Sequence, residues 1–281
     1  MSTLILQGAN ISRAAVDSIA AQIGSAVKMC ETYSVLSTSR LDANDELNQL
    51  RQHVDFDINR LPDDFNADEV GLLVTDMDST LISIECIDEI ADFLSIKPQV
   101  AEITEAAMRG EIDFETSLTR RVALLEGLEV GALERVYNER LTLNPGAETM
   151  IAGLKQRGIK VALVSGGFTF FTERLKARLG LDYTLANTLE IIDGKLSGRV
   201  VGDIVGAKAK ATLLKQLCNK LGLKTSQTIA MGDGANDLEM MAVAGLSIAY
   251  HAKPAVQLQA DTALNHAGLE GVLGLLRYPP E

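Results

Sequence analysis

Two short apolar runs, Gly71-Leu-Leu-Val-Thr75 and Ile229-Ala-Met231, each stop at a string of acids. Asp76-Met77-Asp78-Ser79-Thr80 follows the first, and Gly232-Asp233-Gly234-Ala235-Asn236-Asp237 the second. Unalternating apolar runs of this length suit parallel strands buried on both faces. In an open sheet of such strands, ligands bind at the carboxyl edge. An isolated pair of acids at a strand end can simply begin a turn. Two runs ending the same way instead predict two strands that bring carboxylates to one rim.

The chain after Pro145 has the alternation this sheet needs. Periodicity predicts a helix over 148–157 stopped by Gly158, a strand over 160–164, a helix over 169–179 and a strand over 183–186. A hairpin over 190–201 turns at Asp193-Gly194. It is followed by a helix over 208–221, the strand at 228–231, a helix over 237–244 and a strand over 247–250. This is the pattern of a doubly wound, Rossmann-like α/β core.

Between the first strand and Pro145 the strand signal disappears. Ile84, Ile87, Ile90, Ala91 and Leu94 recur at helical spacing. Helices are expected over 100–109, over 114–125 with Asp113 as N-cap, and over 132–141 before Asn144-Pro145-Gly146. Four short helices can pack as a bundle. The expected organisation is a core of residues 66–82 and 143–281 with a helical cap of residues 83–142 inserted into it.

Residues 1–65 read as a separate small α+β unit. Strands over 4–7, 27–37 and 56–61 and helices over 12–23 and 44–53 give βαββαβ, a ferredoxin-like order, if 27–37 folds as a hairpin. No obvious turn marks that hairpin near Thr32. Residues 61–68, rich in turn formers and acids, are the expected linker.

Charge and cysteines narrow the function. The formal net charge is −12 with no dense Lys/Arg block, which argues against a partner such as nucleic acid or an anionic membrane surface. Residues 1–70 carry a net −6 and residues 83–142 a net −7, so the rest of the chain is close to neutral and better suited to an anionic ligand. Cys30, Cys86 and Cys218 are odd in number and form no CxxC pair, which fits a reducing cytoplasm. No apolar segment reaches the roughly 18–20 residues of a membrane span, and no secretory leader is apparent. His53, His251 and His266 have no ligand spacing.

Hard oxygen ligands in the number supplied by the two acidic strings suit Mg²⁺. Val164-Ser165-Gly166-Gly167 ends another predicted strand, where backbone N–H groups and a hydroxyl can meet an anion. Lys208 and Lys210 open a helix, where the helix dipole disfavours a cation, so one of them can be placed there to hold charge at the active edge.

In order and spacing these four strings resemble the haloacid dehalogenase superfamily, and within it the phosphoserine phosphatases. The likeness covers roughly residues 68–281. It implies Mg²⁺-dependent hydrolysis of O-phospho-L-serine, the last step of serine biosynthesis, with Asp76 as nucleophile and Asp78 as general acid. Asp76 and Asp233 would ligate the metal, with the backbone carbonyl of Asp78 as a third ligand and Asp237 as support. Ser165, Gly166, Gly167 and a lysine would hold the phosphate, with Lys210 fitting the family spacing better than Lys208. Asn236 would contact phosphate or substrate. In the cap, Glu85 matches a partner for the substrate ammonium and Arg121 one for its carboxylate, with Arg120 the competitor. Phe114 lies in a matching recognition segment, and Met108 stands where the family places an apolar wall.

The first 65 residues resemble, in element order only, ACT-type regulatory domains, which implies serine feedback or homodimerisation. Two other functions stay open at this point. One is a phosphatase for a neighbouring amino-acid phosphate such as phosphothreonine or phosphohomoserine. The other is a non-catalytic amino-acid sensor, which would have no use for a nucleophile paired with an acid.

Overall fold

The computed structural model describes residues 2–38 and 44–278. Strands β1 (Ser2–Gln7), β2 (Ala26–Met29), β3 (Tyr33–Thr38) and β4 (Asp57–Leu61) form an antiparallel sheet in the order β2-β3-β1-β4. Helices Arg13–Ile23 and Asn44–Arg51 complete the βαββαβ order. Ser12 caps the first helix by accepting the Ala15 N–H at 3.2 Å. The hairpin turn lies at residues 30–32, where the Cys30 N–H donates to the Tyr33 carbonyl at 2.9 Å. Neither Gly nor Pro marks it, so composition gave no signal there.

The second sheet joins β5 (Leu72–Thr75), β6 (Lys160–Phe168), β7 (Tyr183–Ile192), β8 (Lys195–Val201), β9 (Thr228–Gly232), β10 (Leu246–Tyr250) and β11 (Thr262–Leu264). Their order is β11-β10-β9-β5-β6-β7-β8, with β8 antiparallel to β7 and the other neighbours parallel. The apolar run of β5 is explained by its central place. Leu73 faces one hydrophobic layer, Leu72 and Val74 face the other, and all three are fully buried. Its direct neighbours are β6 and β9, so the three strands that lead into the Asp76, Ser165 and Asp233 strings lie side by side.

The residues between β5 and β6 supply helices Cys86–Asp92, Lys97–Met108, Phe114–Ala123 and Gly131–Arg135. They leave the core through a paired stem. Ile82 bridges Leu143, the Ser83 N–H donates to the Thr142 carbonyl at 3.0 Å, and the Asn144 N–H donates to the Leu81 carbonyl at 3.0 Å.

Several elements differ from the periodicity reading. The second of these helices begins at Lys97 rather than Val100, because Pro98 is compatible with a first helical turn. The expected helix over 132–141 stops at Arg135 and continues as a wider π-type turn, Val136–Arg140. The helix expected over 237–244 is a 3₁₀ turn, Ala235–Asp237, and one short helix, Leu238–Met241. Pro254–Gln257, β11 and Gly271–Leu275 gave no sequence signal. They are short, and the last is buried all round, so it shows no periodicity.

The two sheets are locked together by side chains that read backbone. The Asp57 carboxylate accepts the N–H groups of Asn265 at 2.8 Å, His266 at 3.2 Å and Ala267 at 2.9 Å. Asn59, fully buried, donates to the Ala263 carbonyl and accepts its N–H, each at 2.8 Å. β1 is thereby covered on both faces, with Leu4 and Leu6 against its own helices and Ile5 against the larger core. No helix among the described residues is long and apolar enough to cross a membrane.

Candidate active site

Asp76 follows the last residue of β5 and is almost fully buried. The chain then makes one irregular π-type turn, Met77–Leu81, in which Ser79 takes a positive φ of 57°. Asn144 secures this turn, its side-chain amide donating to the Thr80 carbonyl at 2.8 Å and the Ile82 carbonyl at 3.1 Å. Asn144 was legible only as a helix stop, because its partners are backbone carbonyls brought near by the stem.

Lys210, in the first turn of helix Ala207–Leu221, is fully buried and donates to Asp76 Oδ1 at 2.6 Å and Asp237 Oδ1 at 2.7 Å. Lys208 is exposed. Burial by itself would discharge the Lys210 ammonium, but the charges of Asp237 and Asp76 outweigh burial and hold its pKa above the ordinary value. Burial, with Asp237 adding to it, pushes Asp76 well above the usual carboxylate range, and Lys210 pulls the other way. Asp233 is raised to about 6 for the same two reasons, burial and the charge of Asp237. Thr80 donates to Asp233 at 3.3 Å.

Asp76, Asp233 and Asp237 each offer a carboxylate oxygen, and these atoms lie within 4.8 Å of one another. Three hard donors crowded together, two of them buried, and two with pKa values raised by burial and mutual repulsion, have the chemistry of a divalent-cation site.

Asp78 is half-buried and held from two sides. Its Oδ1 accepts the Cys86 N–H at 2.8 Å, and its Oδ2 accepts from the Ser165 hydroxyl at 3.3 Å. Burial raises its pKa. Ser165 Oγ also accepts the Gly167 N–H at 2.8 Å. Gly167 has no room for a side chain, since a Cβ there would lie 2.7 Å from Asp78 Oδ2. β6 runs through this string to Phe168, four residues past the expected end, with a register shift against β7 between Val164 and Phe168. Asn187, buried on β7, fixes the irregular segment by donating to the Gly166 carbonyl at 2.8 Å and accepting the Val205 N–H at 2.8 Å. No sequence pattern singled it out.

The inserted helices bring a second group to this rim. Glu85, N-terminal to Cys86–Asp92, accepts the Ser79 hydroxyl at 2.6 Å. The residue is exposed, yet protein crowds its carboxylate, and this burial together with the charge of Asp78 pushes its carboxyl up to about 7. Phe114 lies against Gly166, where an added Cβ would meet its ring at 2.8 Å. Arg121, seven residues on and on the same helix face, is half-buried, whereas Arg120 is exposed. Burial lowers the Arg121 pKa, against the opposing charges of Asp88, Glu85 and Asp78. Among the described residues its one hydrogen bond is a long 3.4 Å contact to the Ser117 carbonyl. Met108 is 63% exposed and meets the core through Lys253, whose Nζ is 3.7 Å from its sulfur. Asn236 is half-buried beside Asp237.

The sequence profile of the haloacid dehalogenase-like hydrolases matches residues 70–245. A phosphoserine phosphatase of Polaromonas sp. is 53% identical over 78% of this chain and 95% of that protein. A crystal structure of a probable phosphoserine phosphatase from Vibrio cholerae, in unliganded form, superposes with a TM-score of 0.84 at 41% identity, over 98% of this chain and 86% of that one. A phospho-aspartyl intermediate analogue of a phosphoserine phosphatase gives a TM-score of 0.69 at 42% identity, over 73% of this chain and 98% of that one.

Proposed function

This chain belongs to the haloacid dehalogenase-like hydrolases, and from that membership we propose that it is a phosphoserine phosphatase, hydrolysing O-phospho-L-serine to L-serine and phosphate through an aspartyl phosphate on Asp76. The observation that carries this reading is that Glu85 reaches the turn Met77–Leu81, beside the buried carboxylate–lysine rim, through the Ser79–Glu85 hydrogen bond, with Arg121 close enough to feel the charges of Glu85 and Asp78. The rim suits a phosphoryl group. The pair suits the ammonium and carboxylate of an amino acid.

In this mechanism Asp76 attacks phosphorus as the bond to the serine oxygen breaks. Lys210 favours the anionic form of the nucleophile and holds it in place, and the Ser165 hydroxyl and backbone N–H groups of the Gly166-Gly167 segment hold the non-bridging oxygens. Asp78, its pKa raised by burial, gives its proton to the departing serine oxygen. Water then attacks the aspartyl phosphate, Asp78 takes up its proton, and phosphate leaves with Asp76 regenerated. Asp76, Asp233 and Asp237 would hold Mg²⁺, with the Asp78 carbonyl as a further ligand. When bound, the metal supplies positive charge that offsets the repulsion between carboxylates and phosphate. Asn236 would bind phosphate or substrate from the Asp233 loop.

We assign residues 83–142 to recognition. Glu85 takes the ammonium, Arg121 the carboxylate, and Phe114 and Met108 wall the space between. The test is phosphate release from phosphoserine and phosphothreonine, each with Mg²⁺ and with a chelator. Release that needs the metal and strongly favours phosphoserine is expected. Equal release from both substrates would remove the preference for the serine side chain, and release from neither would remove the reaction.

A further inference from the structure

The inserted helices are held to the core unequally on their two sides. On one side the tip of the β7–β8 hairpin is tied to the segment before Gly131–Arg135 by three backbone hydrogen bonds. The Gly127 N–H donates to the Leu196 carbonyl at 2.8 Å, the Leu196 N–H to the Leu128 carbonyl at 2.8 Å, and the Val130 N–H to the Gly194 carbonyl at 3.0 Å. On the other side helix Lys97–Met108 buries only Val100, and its end meets the core where Met108 meets Lys253. A thioether is a weak acceptor, and at 3.7 Å it holds an ammonium loosely. The seam at Lys253 is therefore the side that opens at least cost.

Lys253 reaches this seam because of how the chain leaves β10. His251 turns in the left-handed region at φ 43°, with its N–H donating to the Leu264 carbonyl at 2.9 Å. The Lys253 N–H then donates to the carbonyl of Asp233 at 3.4 Å. Backbone thus fixes Lys253 to the acidic loop while its side chain extends, exposed, to the cap. No carboxylate among the described residues lies within ion-pair distance of its ammonium.

A phosphate dianion approaching this pocket meets Asp76, Asp78, Glu85, Asp233 and Asp237 on a chain of net charge −12. Lys210 is fully buried behind them and already shared between two carboxylates. We propose that Lys253 is the capture residue of the site, exchanging the Met108 sulfur for the substrate's phosphate as the seam opens and delivering it to the rim. A strongly hydrated, flexible ammonium suits a transient contact of this kind. A cation at the mouth of an acidic cleft acts on association and is weakened by salt.

The inference rests on phosphoserine as substrate, and the two ideas fail separately. A wild-type chain that releases no phosphate from phosphoserine in Mg²⁺ overturns the reaction. Given that release, Lys253→Gln is expected to lower kcat/KM about fivefold to tenfold at low ionic strength while kcat stays within about twofold. The difference should shrink as salt is added, and Lys253→Arg should restore most of it. A Lys253→Gln enzyme with wild-type kcat/KM and wild-type salt dependence overturns the capture role. A kcat that falls in parallel with kcat/KM also overturns it, because Lys253 would then act in the transition state. So does an arginine variant that behaves like the glutamine one.

Discussion

At the sheet rim, Lys210 is clamped between Asp76 and Asp237 by bonds of 2.6 and 2.7 Å, and all three side chains are buried or nearly so. In the inserted helices, among the described residues, Arg121 has a single hydrogen bond, a 3.4 Å contact within its own helix, and Glu85 has one, to the Ser79 hydroxyl. The rim is assembled before substrate arrives, with its charges already facing one another. The cap pair is left incomplete, with hydrogen-bonding capacity that an amino acid would fill. Preorganised charge is what stabilises a phosphoryl transition state, because nothing has to reorient during the reaction. Loosely held groups suit recognition, since their best partners come with the ligand. This contrast gives the two regions different failure modes.

The strongest way to break the contrast is at Asp76. Asp76→Asn keeps the shape and an oxygen for Lys210, so circular dichroism and thermal melting should show a folded protein. Turnover of phosphoserine should fall by at least about 10³-fold, because an amide cannot form the acyl phosphate. Mass spectrometry of wild-type protein quenched with substrate should find one phosphate on the peptide containing Asp76. Near-normal turnover in Asp76→Asn would remove the covalent mechanism, whatever the state of the cap.

The cap should respond differently. Arg121→Ala removes a bidentate partner of the substrate carboxylate, worth about 1.5–3 kcal/mol, so KM for phosphoserine should rise about 10- to 150-fold with a much smaller change in kcat. Phosphoethanolamine, which has no carboxylate, should not distinguish the variant from wild type. Arg120→Ala, altering an exposed neighbour, should leave both constants within about twofold. A kcat loss in Arg121→Ala equal to its loss in kcat/KM would mean that the cap shares in preorganisation and that the contrast between the regions is false.

The same contrast explains what the sequence revealed. The rim could be read from sequence because its residues follow strand ends: a buried apolar run can be seen in a linear pattern, and so can the acids that terminate it. Spacing alone favoured Lys210 over Lys208, and the helix rotation, which buries one and exposes the other, supplies the physical reason. What stayed hidden are residues whose partners are backbone groups distant in sequence. Asn144 holds the Met77–Leu81 turn, Asn187 holds the Gly166 carbonyl, and Asp57 and Asn59 join the two sheets through residues 263–267. An isolated Asn or Asp in a linear string looks like a turn former, and only the fold shows which carbonyl or N–H it serves. The Lys253 loop was missed for a related reason, since the short helix Pro254–Gln257 after it carries too few residues for periodicity to register. The π-type turn at Val136–Arg140 was read as ordinary helix because its apolar spacing is nearly the same.

The smallest effect concerns Glu85, and it has a direction fixed by charge. Burial and the nearby Asp78 raise its carboxyl to about 7, so in the free enzyme a substantial fraction is protonated at neutral pH. Only the ionised form attracts the substrate ammonium. As pH falls through about 7 the attraction is lost, and KM for phosphoserine should rise several-fold between pH 8 and pH 6. The ammonium in turn favours ionised Glu85, so the step should move to lower pH in kcat, which reports the bound state. Glu85→Gln should start from a higher KM and lose this step, while any limb that belongs to Asp78 or to the substrate phosphate remains. The profile for a substrate without an ammonium group should lack the step even in wild type. A step that persists in Glu85→Gln would place the titration at the rim, and the preorganised region would then be the one that senses pH.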